Sequence, residues 1–87
     1  MKPIHFSQHA LTQIRLRGAT QEEVTDTVQT SSWELAKHGK YQARKTFAFG
    51  YPSPINQKVY PFKTVHVIFA DEPKEIVIVT VMVYYGK

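Results

Sequence analysis

Eighty-seven residues, 43% of them hydrophobic and none of them cysteine, describe one small domain spanning residues 1–87. A chain of this length buries only about 60% of its unfolded surface, so its core must be economical. The missing cysteines exclude disulfides, thiolate nucleophiles and cysteine zinc sites, and four scattered histidines do not replace a finger-type metal site. No apolar run approaches the ~18 residues of a membrane span, and the opening MKPIHFSQHA lacks a secretion signal's apolar segment. The expected setting is therefore cytoplasmic, with no membrane, metal or cofactor. Net charge is +4 and unevenly placed. Residues 1–36 hold three bases against four acids, whereas residues 37–87 hold eight against three. Lys37, Lys40, Arg44, Lys45, Lys58 and Lys63 fall in one stretch that has no acid and six of the eleven aromatics. Bases neutralise phosphates and aromatic rings stack on unpaired bases, so RNA is a candidate partner. The plain alternative is a strand edge guarded by lysines, with the rings in the core.

The first third reads helical. Ser7 is a good N-cap, Phe6 is placed to staple onto Leu11, and Gly18 sits where a left-handed glycine ends a helix. Thr20-Gln21-Glu22-Glu23 spells a capping box, opening a second helix over roughly Gln21–Gln29, with Val24 and Val28 facing inward. The remainder reads as sheet. Trp33–Lys37 is a short first strand, and His38-Gly39-Lys40 a turn. Tyr41–Phe49 follows as a strand with Tyr41, Ala43, Lys45, Phe47 and Phe49 on one face. Gly50–Gln57, with two prolines, is a surface loop. Lys63–Ala70 alternates Val65, Val67 and Phe69 against Thr64, His66 and Ile68. Asp71–Lys74 turns the chain into Ile76–Tyr85, a β-branched run suited to a central strand. The order implies an α+β domain: two N-terminal helices packed on one face of a four-stranded, mainly antiparallel sheet.

Few residues suit chemistry. His9, Gln13 and Arg17, four apart, form one ridge beside the apolar stripe of the first helix. An imidazole there can exchange protons near neutral pH, and a guanidinium forks onto phosphate. The competing reading is a half-buried structural histidine with a surface arginine. His66 points away from Val65 and Val67. Thr80 interrupts an apolar run, and its hydroxyl needs a partner in backbone, His66 or a ligand. His5 and His38 lie near element ends and read as surface groups. Tyr84 and Tyr85 either pack the rim or stack a base. Neither a G-x-S-x-G elbow nor a GxxxxGK[ST] loop occurs, so hydrolase nucleophiles and nucleotide triphosphate binding are unsupported.

His9-Ala10, Arg17-Gly18-Ala19-Thr20 and Glu23-Val24 together resemble the opening of a prokaryotic family of domains of unknown function. Its members begin approximately T/S-x-H-A-x-x-R-M-x-x-R-G-I-S-x-x-x-V. His38-Gly39-Lys40, His66-Val67 and Ile78-Val79-Thr80-Val81 extend the likeness over nearly the whole chain, although only the opening is distinctive. Gln13 and His66 stand where the family has arginines, and Met82 stands where it has tyrosine. The family is similar to RelE-like toxins and, more broadly, to the barnase–EndoU–colicin–RelE group of ribonucleases. The resemblance implies a RelE-like fold and a toxin that cleaves RNA without metal, beside a neutralising antitoxin. His9 or His66 would then transfer protons, while Arg17 with Arg44 or Lys45 would hold the phosphate. Thr80 would orient the site, and Tyr85 would stack a base or assist proton transfer. Lys40, Arg44, Lys45 and Lys63 would bind the rest of the RNA. The rival is a non-catalytic module of the same fold that binds nucleic acid or a partner chain. Whether the chain pairs with itself stays open.

Overall fold

Burial alternates along three long strands, and that alternation sets which side of the sheet the helices cover. The computed structural model describes residues 2–86. In chain order it has β1 (Ile4–Phe6), α1 (Gln8–Arg17), α2 (Gln21–Thr30), β2 (Glu34–Leu35), β3 (Tyr41–Ala48), β4 (Phe62–Asp71) and β5 (Ile76–Gly86). Among the described residues the sheet has five strands in the order β1-β5-β4-β3-β2. β1 runs parallel to β5, and the other neighbours are antiparallel. The α+β class agrees with the sequence; the strand count does not. The added strand is β1, three residues held by Ile76 N–H to Pro3 O and Ser7 N–H to Ile78 O. Three residues carry too little alternation to be read as a strand.

Both helices begin as their sequence dictates. Ser7 Oγ accepts from the Ala10 amide at 3.1 Å. Thr20 Oγ1 accepts from the Glu23 amide, and Glu23 Oε1 accepts from the Thr20 amide, both at 3.0 Å. Ala10, Ile14, Val24 and Val28 meet Val65, Val67, Phe69, Ile78, Val81 and Val83 in one core. Each of the Val, Ile and Phe side chains among them contributes about 1.5–3 kcal/mol on full burial. Trp33, expected to open a strand, instead closes one end of this core. Its ring lies edge-on to Phe69 with centroids 4.8 Å apart, and its Nε1 donates to Val28 O. The strand it was expected to start shrinks to Glu34–Leu35.

The β3–β4 connection is ordered by backbone pairing. Phe49 and Gly50 donate to Pro61 and Tyr60, and Ser53 donates to Lys58, so the hairpin continues beyond its strands. It reaches the corner between the helices, where Gly18 has φ of +83°. A Cβ at Gly18 would sit 2.6 Å from Tyr85 Oη and 2.9 Å from Pro54 Cγ. Left-handed backbone costs a non-glycine residue roughly 1–2 kcal/mol before any clash. Gly18→Ala is therefore expected to destabilise by at least that much in chemical denaturation; an unchanged midpoint would contradict the packing described.

Candidate nucleic-acid interface

The strand face away from the helices is uncovered among the described residues. On it the register aligns three cross-strand rows: Gln42–Ile68–Thr80, Arg44–His66–Met82 and Thr46–Thr64–Tyr84. A β-bulge creates the first row. Between Ile68 and Phe69 the pairing with β5 shifts by one residue. An extra residue reverses the in–out phase of a strand. Ile76 and Ile78 thus point to the core, and after the bulge so do Val81 and Val83, leaving Thr80 on the open side.

His66 stands at the centre of this face. Its Nε2 lies 2.9 Å from Gln42 Oε1, and its ring centroid is 6.3 Å from that of Tyr84. With Nε2 donating to Gln42, Nδ1 is the unprotonated nitrogen. Partial burial holds the imidazole below its ordinary 6.5; the neighbouring Arg44 guanidinium lowers it further, and Glu34 opposes both. A lowered value keeps the ring neutral at pH 7, as a proton acceptor requires. In an NMR titration Arg44→Ala is expected to raise the His66 midpoint, and Glu34→Gln to lower it. Shifts of the same sign in both variants would contradict this electrostatic arrangement.

The structure separates the residues singled out by sequence. Arg44, His66 and Thr80 share the open face. His9 and Arg17 do not join them, because α1 lies on the helix side and its ridge follows the edge of β5. The middle member, Gln13, accepts from the Val81 amide at 2.7 Å, covering an edge that β1 leaves unpaired. His9 is exposed, and among the described residues no side-chain hydrogen bond reaches it. Tyr85 faces the helices too: its hydroxyl donates to Arg17 O, and its ring packs on Phe49 and Tyr60. Burial, reinforced by Glu23, pushes its phenol above the ordinary range.

The basic set divides similarly. Lys63 is 5% exposed, with Nζ 2.8 Å from Gly18 O and 2.9 Å from Glu23 Oε1, over the Phe49 ring. The RNA contact expected of Lys63 gives way to an internal joint between β4 and the helix corner. Lys45 also faces the helices, bonding Asp26 at 2.7 Å and Thr30 at 2.9 Å, so its charge is already matched. Arg44 is exposed, and Lys40 sits half-buried at the start of β3. The residues overlooked in the sequence are Gln42, Thr46 and Thr64, the last two bonded hydroxyl to hydroxyl at 2.9 Å. Their signal was the strand alternation itself, which puts them in phase with His66 and Arg44. Comparison with protein-family models, with curated proteins and with solved structures finds no match.

Proposed function

We propose that this chain is a small toxin-type endoribonuclease that lays an RNA strand across the open face of its sheet. The observation that carries the reading is the cross-strand pair Arg44–His66 beside Tyr84, on a face free of helices. Attack by the RNA's own 2′-hydroxyl needs no protein nucleophile. It needs a proton acceptor, a proton donor and a cation for the phosphorane charge. His66 Nδ1 takes the 2′-hydroxyl proton while O2′ bonds to phosphorus. Arg44 holds the non-bridging oxygens. The bond from phosphorus to O5′ breaks, and O5′ takes a proton from the nearby phenol of Tyr84 or from water. The products are a 2′,3′-cyclic phosphate and a 5′-hydroxyl. The resemblance of the opening motif to toxin relatives adds an antitoxin as partner in the cell.

One observation favours a second reading, non-catalytic RNA binding. Among the described residues the three cross-strand rows around Arg44 hold one imidazole, His66, with His5 on β1 and His38 on the β2–β3 turn lying outside them, so the proton donor there must be a phenol or water. Purified protein incubated with total RNA in a chelator, followed by end-group analysis, separates the two. The nuclease reading expects cyclic phosphate ends from the wild type and their loss in Arg44→Ala. Intact RNA that still binds with salt-sensitive affinity establishes the second reading instead.

A further inference from the structure

Beside the Arg44–His66 row the open face deepens into a cavity of about 640 Å³. Its floor is the adjoining row, Gln42, Ile68 and Thr80, with Val79 beside it; Leu35, Lys37, His38 and Lys40 contribute the wall and rim. The two rows are two strand residues apart, about 7 Å. Three features of the cavity concern its occupant. Ile68 and Val79 make an apolar lining, and Leu35, 74% exposed, stands beside it on a two-residue edge strand. The amide nitrogen of Gln42, whose oxygen is engaged by His66, has no partner among the described residues, and neither does the hydroxyl of Thr80. The rim carries Lys37 and Lys40 on a tight turn closed by Ala36 N–H to Lys40 O, with His38 at φ +60°. A histidine held in the left-handed region is strained, and such strain persists where the surroundings over-determine it.

We infer that this cavity is a nucleotide subsite: it receives the base of the RNA nucleotide next to the phosphate held by Arg44. Apolar walls take the faces of the base, the Gln42 NH2 and Thr80 hydroxyl meet its edge, and Lys37 and Lys40 take its phosphate. The volume lies within the range of small-molecule sites, and the cationic rim complements an anionic ligand. Glu34, across the ladder from Gln42, is the neighbouring acid, and it disfavours an anion placed deep on the β2 side. The phosphate therefore lies at the Lys37/Lys40 rim and the base inside.

This inference rests on the nuclease reading, and the test keeps the two apart. Each of the four ribonucleoside 5′-monophosphates is titrated into the protein, with ribose 5-phosphate and inorganic phosphate as base-free probes. At least one nucleotide is expected to bind roughly tenfold tighter than ribose 5-phosphate, the effect of burying about 60 Å² of base surface against aliphatic side chains. Ile68→Ala, on the open face and outside the core cluster, and Thr80→Val should each reduce that preference without changing the affinity for inorganic phosphate. Equal affinity for base-bearing and base-free probes would overturn the subsite, as would a preference unaltered in both variants. If RNA is cut while no base preference is found, the subsite fails and the nuclease reading stands; if RNA is neither bound nor cut, both fall.

Discussion

His66→Ala is expected to slow RNA cleavage by about 10²–10⁴, the range lost with one well-placed proton acceptor. The chain should remain folded, because the imidazole lies on the open face, opposite the core-facing Val65 and Val67. Its one hydrogen bond is to Gln42, at the surface of the sheet. His9→Ala, on the opposite helix, is expected to leave the rate within a few-fold. The pH profile adds a second signature. Since burial and Arg44 depress the imidazole, its neutral form prevails at pH 7 and is lost as pH falls through a value below 6.5. The acid limb of cleavage should therefore lie below 6.5, and Arg44→Ala should move it upward while lowering the rate. Equal rates for wild type and His66→Ala across that range would remove the imidazole from the reaction.

Lys63→Ala is expected to cost about 2–4 kcal/mol of folding stability, somewhat below the usual loss for breaking a fully buried pair. The ammonium joins three things: the last carbonyl region of α1 through Gly18 O, the capping carboxylate of α2 through Glu23, and β4 through its own backbone. Removing it leaves Gly18 O without that donor and Glu23 with only the Thr20 amide. The carboxylate keeps partial access to water, which is why the lower part of the range is preferred. A loss of this size should lower Tm by roughly 8–30 °C in a domain of under 100 residues. Lys45→Ala supplies the contrast. That pair with Asp26 is about a third exposed on the lysine side, so about 0.2–1 kcal/mol is expected. Urea unfolding of both variants tests the distinction, and equal midpoints would contradict it.

Lys63 also shows how much of the site was legible. A lysine in a basic stretch reads as surface by composition, yet it keeps strict phase with Val65, Val67 and Phe69, which face the core. Periodicity was the better guide, and composition misplaced it. Arg44 and Lys45 are similar: adjacent strand residues face opposite sides, and the burial of Ala43 assigns Lys45 to the helices. The ends of both helices were plain, because capping is local chemistry within four residues. The ridge of His9, Gln13 and Arg17 was correctly grouped by the helical period. That period says nothing of which strand edge the ridge meets, and the contact is between residues 68 positions apart. The place of Thr80 was hidden for another reason. A bulge is a property of two paired strands, and an apolar run on one of them does not reveal where the phase reverses.

The most direct measurement is an amide shift map of the ¹⁵N-labelled protein with a short single-stranded RNA at low salt. Perturbations are expected along Gln42–Thr46, Thr64–Ile68 and Thr80–Tyr84, diminishing as salt is raised. Perturbations confined to the outer surface of α1 around His9 and Arg15, with the open face silent, would contradict the RNA-binding face described here.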